Sequence, residues 1–468
     1  MLGKNRFMVI TLLVCLLMGM VLLAGCGSSA PAEPAEEPAP EVEEPVAEEP
    51  AEEPAEEPVE EPAAEEPAED VTITWMRLAE WSEADPAIIE TFEAEHPGIK
   101  VELEEIPFSE LVSQINLRFG ADDTSIDVIA ADVPLVSSYG YRGWLLPLDG
   151  LFTEEEMADF LPAAVGAGSY DGEMITAPLS TSTQLLYYNA DAFEAAGITP
   201  PGEDERWTWE QIADVAQQLQ SGDGDQVDMW GFQWEQTTAP YQLLPLMGSL
   251  GGEYIGEDGL TVDGVVNSQP WIDAATFYYD MFNTYGVSPQ GDAVNGPDLF
   301  VNGNLAMLVA GPWQINNFAE NAEFNWGVTR HPYFEGHDVA TATGSWHLGV
   351  NSLSEHPEEA KAFVKWLSTG EGAEMWWRIG SHDFPAQQSV LAMFATSEEF
   401  DEPPMSFNRV AADEATQGPI PRPVTVGYLE YDQIYRDTFQ DIRIGTDPET
   451  ALNTMVERLE SEMAKYRE

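Results

Sequence analysis

Cysteine, histidine and basic residues are scarce in this chain of 468 residues. It has 2 cysteines and 6 histidines, and its 18 Lys and Arg residues face 84 Asp and Glu residues, for a formal net charge of −66. This charge argues strongly against nucleic-acid binding, because contacts to phosphates need Lys and Arg. Cys15 lies in an apolar N-terminal stretch, so only Cys26 remains in the rest of the chain. Neither a disulfide framework nor a cysteine-based metal site can form there.

The one long apolar stretch runs from Phe7 to Leu23. It is too short and too soon interrupted for a membrane span and is typical of a secretion signal. It ends at Leu23-Ala-Gly-Cys26, which resembles the lipobox of bacterial lipoproteins. The resemblance implies that residues 1–25 are removed as a signal peptide and that Cys26 is diacylated, and two acyl chains suffice for stable anchoring. The alternative is a chance thiol near an ordinary cleavage site.

Residues 26–70 form a predicted linker behind this anchor. From Pro31 to Asp70 the chain repeats units such as Ala-Glu-Glu-Pro and has 18 acidic residues but no basic or aromatic ones. Such a segment cannot bury enough apolar surface to fold. Its prolines and like charges favour extended geometry, with a reach of roughly 120 Å at about 3.1 Å per residue. We predict a tether for a folded domain, with a partner-binding acidic tail as the weaker alternative.

The folded part opens with a pattern of strands alternating with helices. Strands are predicted at 71–76, 99–103 and 127–130, with helices between them that begin at Pro86 and around Leu111. This alternation favours a parallel sheet covered on both faces. Residues 221–270 are rich in glycine and turn signals, and a strand is predicted at 305–310. Four further helices are predicted from their start signals, which are the capping box of Thr208 with Gln211, Trp271, Pro357 and Pro448.

Four of the 14 tryptophans follow a strand or a glycine turn. They are Trp81, Trp234, Trp313 and Trp346. In open α/β sheets, ligands bind beyond the carboxyl ends of the strands. An indole there offers a flat apolar face and one N–H donor, which suits a sugar ring with its C–H faces and hydroxyl rim. The alternative for each is ordinary core packing.

A family resemblance rests on four stretches whose order and spacing together are specific. They are Phe92-Glu-Ala-Glu-His-Pro-Gly-Ile-Lys-Val101; Leu186-Tyr-Tyr-Asn-Ala-Asp-Ala-Phe193 with Thr208-Trp-Glu-Gln211; Phe300-Val-Asn-Gly-Asn-Leu-Ala-Met307 with Gly311-Pro-Trp313; and Pro357-Glu-Glu-Ala-Lys-Ala-Phe-Val364. Over nearly all of residues 71–468 the chain resembles the family 1 extracellular solute-binding proteins of bacterial ABC importers, the group that includes maltodextrin and multiple-sugar binders.

The resemblance implies an α/β fold of two lobes, the Venus-flytrap architecture, with ligand in the cleft between them. One lobe would comprise 71–179 plus 310–352, and the other 180–309 plus 353–468. The chain would cross between lobes near 177–181 and again near 309–312. The implied partners are a sugar and ABC permease subunits, with no cofactor and no metal.

The ligand-binding residues are predicted from the resemblance and from the tryptophan argument together. The first loop departs from maltodextrin binders, because Ala79-Glu80-Trp81 stands where they carry an acidic–basic pair, and this leaves the identity of the sugar open. Tyr428 is an alternative to Tyr431 for a second-lobe aromatic. The predicted residues are Glu80, Trp81, Asp132, Ser180, Thr181, Ser182, Gln184, Trp234, Glu235, Trp313, Trp346 and Tyr431.

We therefore predict a lipid-anchored protein at the outer face of the cell membrane or in the periplasm that delivers a sugar to an importer and is not an enzyme. A polyamine or other cation binder of the same fold is one alternative. A tethered glycoside hydrolase, with two carboxylates about 5–9 Å apart, is another. A metal importer would have to use His331, His337, His347 and His382, which lack helical i, i+4 spacing. A purely structural surface protein would leave the loop tryptophans unexplained.

Overall fold

The computed structural model describes residues 70–467 apart from 82–84, 203–204, 224–225, 292–293, 345 and 381–382. The predicted signal peptide, Cys26, the acidic linker up to residue 69 and His382 lie outside the described residues. The strands are β1 (Val71–Leu78), β2 (Ile99–Ile106), β3 (Val128–Asp132), β4 (Ser169–Tyr170), β5 (Glu173–Met174), β6 (Ala177–Pro178), β7 (Ser180–Thr181), β8 (Leu185–Asn189), β9 (Ser221–Asp223), β10 (Gln226–Met229), β11 (Gln233–Trp234), β12 (Met307–Ala310), β13 (Trp326–Arg330), β14 (Thr341–Ala342), β15 (Trp346–Val350), β16 (Phe384–Pro385) and β17 (Pro419–Ile420).

Helices connect and cover these strands. They are α1 (Asp85–Glu95), α2 (Phe108–Phe119), α3 (Val136–Tyr141), α4 (Glu154–Asp159), α5 (Pro162–Ala167), α6 (Ala190–Ala196), α7 (Trp209–Leu219), α8 (Pro240–Ser249), α9 (Gln269–Asn283), α10 (Gly296–Val301), α11 (Gln314–Asn321), α12 (Pro357–Ser368), α13 (Gly370–Ile379), α14 (Gln388–Thr396), α15 (Phe407–Glu414), α16 (Tyr428–Arg443) and α17 (Pro448–Met463). Short 3₁₀ turns lie at Ala79–Trp81, Val133–Leu135, Glu398–Phe400 and Ala464–Tyr466.

The first sheet has five strands in the order β2-β1-β3-β15-β6. Strand β1 runs parallel to β2 and β3, whereas β15 runs antiparallel to both β3 and β6. Parallel neighbours need a long crossover, and α1 and α2 supply the two crossovers among the first three strands. The strand–helix alternation predicted for the start of the folded part is confirmed.

The second sheet has four strands in the order β11-β12-β8-β13. Strand β8 lies antiparallel to β12 and β13, and β11 lies parallel to β12. Strand β12 confirms the strand predicted at 305–310. All four of its residues are buried, because both faces of this sheet are covered.

The two sheets fit the expectation of two α/β units, while the precise lobe boundaries stay a prediction. Two observations bear on those boundaries. Strand β13, within the range 310–352, pairs in the second sheet. Helices α12 and α13, within 353–468, pack on the first sheet, where the Trp75 ring lies 5.3 Å from Phe363 and 5.7 Å from Trp376 between centroids.

Most predicted helices are present, and their starts follow the expected capping chemistry. At α7 the Thr208 hydroxyl accepts from the Gln211 amide at 3.2 Å, and the Gln211 side chain accepts from the Thr208 amide at 2.9 Å. This confirms the capping box. Helices α12 and α17 begin at their predicted prolines, since the missing N–H costs nothing in the first turn. Helix α8, inside the turn-rich 221–270, was not predicted. It is buried almost all round, so no 3.6-residue period marks it.

A matched pair of substitutions in α2 tests the packing of the first sheet. Leu111 is 0% exposed and Leu117 is 67% exposed on the same helix. Leu111→Ala should lower the free energy of unfolding by about 2–5 kcal/mol, because it leaves a cavity. Leu117→Ala should change it by no more than about 0.5 kcal/mol. Guanidinium denaturation of both variants checks this, and equal effects would contradict the described packing.

Candidate functional site

One edge of the first sheet brings together three chain segments. Asp132 is the last residue of β3 and Trp346 is the first residue of β15, and the two are Cα partners in the antiparallel ladder. Trp81 follows β1, the parallel neighbour of β3. The carboxyl ends of the parallel strands therefore meet the start of β15. This is the edge at which open α/β sheets place ligands.

The second sheet presents a similar edge. Strands β11 and β12 are parallel, so the residues that follow them are neighbours. Glu235 and Gln236 follow β11, and Gly311-Pro-Trp313 follows β12. The Glu235 amide donates to the Val309 carbonyl at 2.9 Å, which fixes the start of the first of these turns.

Residues from both edges line one cavity of about 70 Å³. Four aromatic side chains form much of its lining: Trp346 and Phe108 from the first-sheet side, with centroids 6.3 Å apart, and Trp313 and Tyr241 from the second-sheet side, 6.1 Å apart. The full lining is Phe108, Asp132, Ser182, Gln236, Tyr241, Trp313, Gly344, Trp346, Arg422 and Arg436. The cavity thus combines flat apolar faces with hydrogen-bonding groups.

A carboxylate fixes the orientation of the Trp313 indole. The indole Nε1 donates to Glu235 Oε1 at 2.9 Å, and the Gln314 Nε2 donates to the same oxygen at 2.6 Å. Burial raises the pKa of the Glu235 carboxyl, and the hydrogen bonds from Trp313, Gln314 and the Gly311 amide oppose that rise. Glu235 was predicted to touch ligand, but its oxygens instead face the indole and the turn.

The close approach of the Trp313 ring explains why position 311 is a glycine. A Cβ added at Gly311 would lie 2.1 Å from two ring atoms of Trp313. The indole therefore lies directly against the Gly311 backbone, and a larger residue would displace the ring. The Gly-Pro-Trp turn and the Glu235 carboxylate together hold one aromatic wall of the cavity in place.

Two arginines line the cavity, and each is paired with a carboxylate. Arg422 Nη1 donates to Asp132 Oδ2 at 2.7 Å, and its Nη2 donates to the other carboxylate oxygen. Arg436 Nε donates to Asp432 Oδ2 at 2.6 Å. The Arg422 guanidinium also lies over the Tyr241 ring, 5.5 Å from its centroid. The charges at the cavity are therefore compensated in pairs.

The segment 180–184 is buried and tied to both sides. Strand β7 pairs with β16, and Ser182 forms a bridge with Gly344. The Ser182 hydroxyl lies 3.0 Å from the Tyr241 hydroxyl, and Gln184 Nε2 donates to the Tyr241 carbonyl at 2.9 Å. Of this predicted segment, Ser182 lines the cavity, while Ser180, Thr181 and Gln184 are buried within the segment itself.

Two predicted ligand-binding residues lie in the core instead. Trp234 is 0% exposed and packs between Phe232 and Tyr278, with centroids at 4.6 and 5.5 Å. Tyr431 is also 0% exposed, and its hydroxyl donates to the Tyr254 carbonyl at 3.1 Å. Neither ring has a face open to a ligand. The sequence pattern does not show that these two residues are buried, because aromatic residues at strand ends and on helices are found both in the core and at the surface.

The turn that follows β1, Ala79–Trp81, packs against residues of the cavity lining. Trp81 is 6% exposed, and its ring meets Trp346 edge-on at 5.5 Å and Trp376 at 4.7 Å. The exposed Glu80 carboxylate accepts from the Phe108 amide at 3.1 and 3.2 Å. Of the twelve predicted residues, the structure brings Asp132, Ser182, Trp313 and Trp346 to the cavity lining.

Several lining residues were not predicted, and two of them, Phe108 and Arg422, carry a signal in the sequence. Phe108 follows β2, so the strand-end argument applied to Trp81 applied equally to it. Arg422 stands between two prolines in a chain with few basic residues, which could have drawn attention to it. Tyr241 and Arg436 lie on helices α8 and α16, and no local pattern shows that these helices reach the cavity.

Two of the histidines considered for a metal site, His331 and His347, are held in other ways. His331 Nδ1 lies 3.0 Å from the Ala340 carbonyl, and His347 Nδ1 lies 3.0 Å from the Thr176 hydroxyl. Burial lowers the pKa of both imidazoles to about 3. Within the part of the chain that the structure describes, no group of three or more His, Cys, Asp or Glu residues is placed to hold a metal ion. None of the described helices is both long and apolar enough to cross a bilayer.

Residues 78–374 match the model of the bacterial extracellular solute-binding protein family. The chain belongs to this family. A binding protein of Brucella abortus is 24% identical to it over 409 residues, which cover 83% of this chain and 93% of the relative. The mannitol-binding protein of Pseudomonas aeruginosa is 24% identical over 290 residues, covering 59% of this chain and 64% of the relative.

The fold is that of two-lobe solute-binding proteins. A solved structure of an ABC substrate-binding protein from Listeria monocytogenes in complex with cycloalternan superimposes with a TM-score of 0.75 and 22% identity. The match covers 85% of this chain and 100% of that chain. The predicted α/β, two-lobe architecture is therefore confirmed.

The raised pKa of Glu235 predicts a specific pH dependence. Between the pKa of about 4.3 in the unfolded chain and the higher folded value, the native state holds the proton and the unfolded chain has lost it. Stability contributed by this group should therefore fall as the pH rises. Glu235→Gln does not titrate, so the stability of the wild type relative to this variant should decrease with rising pH.

Urea denaturation midpoints of both proteins across the acidic and neutral range measure this difference. Glu102→Gln, which removes an exposed carboxylate on β2, controls for the loss of one charge. A difference that stays constant or grows with pH would contradict the buried setting of Glu235.

Proposed function

We propose that this protein is the lipid-anchored, extracytoplasmic solute-binding component of an ABC importer and that its ligand is a sugar or oligosaccharide. The observation that carries the proposal is the pairing of aromatic walls. Trp346 begins a strand of the first sheet and Trp313 follows a strand of the second, and both line the same cavity together with Asp132, Ser182 and Gln236. Indole faces suit the C–H faces of a sugar ring, and the polar groups suit its hydroxyls.

The charges at the cavity favour an uncharged ligand over a polyamine. Its lining includes one carboxylate, Asp132, and two arginines. A polycation would meet guanidinium groups at close range, and like charges repel strongly where water is partly excluded. The large excess of acidic residues in the chain is thus not repeated in the cavity lining.

The same lining does not favour a glycoside hydrolase. That chemistry needs two carboxyl groups flanking the scissile bond, one of them free to give a proton. Asp132 is held by Arg422, and Glu235 is held by Trp313 and Gln314. We therefore propose binding without catalysis, as in the family's other binding proteins.

Ligand capture would work through the two lobes. The cavity of about 70 Å³ is smaller than the roughly 300–1,000 Å³ of typical ligand pockets, so the two sides have to separate for a sugar to enter. A ligand that contacts both sides binds the closed arrangement more tightly than the open one. It then shifts the population toward closure by that difference in affinity, and the closed form would dock on the permease.

Calorimetric titration with a panel of ligands tests the proposed class. The panel contains monosaccharides, maltose and longer oligosaccharides, with spermidine and glycerol 3-phosphate as charged competitors. At least one neutral sugar should bind at millimolar concentration or below. Binding of spermidine or of glycerol 3-phosphate, with no response to any sugar, would overturn the carbohydrate assignment.

Truncation of the aromatic walls should weaken sugar binding selectively. Trp313→Leu and Trp346→Leu should each raise the Kd about tenfold or more, because loss of an aromatic contact worth ~1.4 kcal/mol changes affinity tenfold. Trp144→Leu removes an indole of intermediate exposure that packs against Phe119 and Tyr139 away from the cavity lining. This control should bind sugar as the wild type does. Equal losses in all three variants would assign the effect to folding.

The lipid anchor is tested at Cys26. Cys26→Ser should abolish labelling by a palmitate analogue and move the protein from the membrane fraction to the soluble fraction, because the acyl chains supply the binding energy for the bilayer. Cys15→Ser, in the predicted signal, should leave both properties unchanged. Membrane retention of Cys26→Ser with full labelling would refute the anchor.

A further inference from the structure

An ion pair closes one side of the cavity and joins distant parts of the chain. Asp132 ends β3 of the first sheet, and Arg422 lies in the loop between β17 and α16. Their side chains are 17% and 11% exposed. The two parallel hydrogen bonds from Nη1 and Nη2 give a planar, bidentate pair. Both residues line the cavity, so the pair forms part of the surface that a ligand meets.

The plane of the guanidinium is fixed by its neighbours. The guanidinium lies over the Tyr241 ring, and the Tyr241 hydroxyl is in turn bonded to Ser182 and to the Thr183 carbonyl. The bidentate pairing requires Arg, because Lys offers no planar fork, and the cation–π contact with Tyr241 adds a second interaction. Arg422 is therefore held in one orientation from two sides.

The pair has unused hydrogen-bonding capacity but no net charge. The Arg422 Nε is buried and has no acceptor among the described residues. Each oxygen of the Asp132 carboxylate has room for a second donor. A ligand hydroxyl can donate to one of these oxygens without adding charge. A carboxylate or phosphate would meet Asp132, and an ammonium would meet Arg422, at close range.

We propose that the Asp132–Arg422 pair determines the charge selectivity of the cavity, admitting an uncharged hydroxylated ligand and rejecting sugar acids, sugar phosphates and amino sugars. This inference rests on the proposed sugar-binding function and adds to it the charge class of the ligand. The second arginine of the lining does not change the balance, because Arg436 is paired with Asp432.

Removing the charge of either Asp132 or Arg422 should change which charged sugars the cavity accepts. Asp132→Asn leaves the Arg422 charge unpaired in a partly buried site, so the variant should gain affinity for an anionic sugar. Arg422→Gln leaves the Asp132 charge unpaired, so it should gain affinity for a cationic sugar. The double variant Asp132→Asn with Arg422→Gln has no unpaired charge and should favour neither.

Calorimetry with glucuronate, galacturonate, glucosamine and galactosamine, together with the neutral sugar that the wild type binds, measures this. We expect affinity for at least one uronate to rise about tenfold or more in Asp132→Asn, and affinity for at least one amino sugar to rise similarly in Arg422→Gln, which corresponds to ~1.4 kcal/mol. The double variant should lose both gains. A gain for anionic sugars in one variant and for cationic sugars in the other is a result that general loosening of the fold would not produce.

A matched control removes an ion pair elsewhere. Arg458 Nη2 donates to Asp437 Oδ2 at 2.7 Å between α17 and α16, and both side chains are about 40% exposed. Asp437→Asn with Arg458→Gln should not change the ranking of the charged sugars. Thermal melting of every variant confirms folding, and Asp132→Asn, which preserves side-chain shape, remains informative if Arg422→Gln does not fold.

The outcomes separate this inference from the function on which it rests. If the wild type binds a neutral sugar and neither single variant gains affinity for a charged one, the charge-selection inference is wrong and the sugar-binding function stands. If the wild type binds uronates or amino sugars as well as neutral sugars, the inference is also wrong. If the wild type binds no sugar but binds spermidine or glycerol 3-phosphate, the proposed function itself fails.

Discussion

The antiparallel pairing of β15 with β3 is the constraint on which the site depends. The chain leaves the first sheet after β6, builds the second sheet, and returns to the first at Trp346. Bringing such distant segments together costs loop-closure entropy, which burial of β15 offsets, since Leu348 and Val350 are fully buried. The ladder register sets Trp346 beside Asp132. Without this return, the first sheet would contribute a carboxylate to the cavity but no indole.

Both aromatic walls are held rigidly by residues that do not line the cavity. Trp313 rests on the Gly311 backbone and is oriented by Glu235, whereas Trp346 is supported edge-on by Trp81. A side chain fixed before binding loses less entropy when the ligand arrives. The glycine and the carboxylate are therefore part of the recognition apparatus even though neither faces the ligand. Glu235 and Trp81 therefore contact the two wall indoles without lining the cavity themselves.

The sequence was sufficient for elements whose signals are local. Alternating apolar residues and prolines in the first helical turn identified the initial strands and helices, and the Thr208 capping box located α7. The family resemblance indicated Asp132, and the glycine turn before Trp346 indicated that residue. The strand-end argument indicated Trp313, which follows β12 and lines the cavity. It failed for Trp234, because β11 ends beneath a layer of aromatic residues that no local pattern reveals.

The residues that sequence reasoning missed are joined to the site by long-range contacts. Arg422 meets a partner 290 positions earlier in the chain, and Tyr241 reaches the cavity from a helix that has no polar face. Tyr431, predicted from the resemblance as a second-lobe aromatic, lies on the face of α16 that packs into the core. A helix rich in tyrosine shows similar residues towards the core and towards the cavity. Charge pairing and helix rotation depend on tertiary packing, which one sequence does not specify.

The contact between Trp81 and Trp346 gives the molecule an intrinsic optical probe. One indole of the pair forms the cavity wall, and the other continues through Trp376 to Trp75 with centroid separations of 4.7 and 5.7 Å. Rings this close share excitation, so a change of polarity at the wall alters the emission of the whole cluster. The enclosed pair Trp209 and Trp234 lies in the core at the second sheet, where both rings are 0% exposed and removed from such a change.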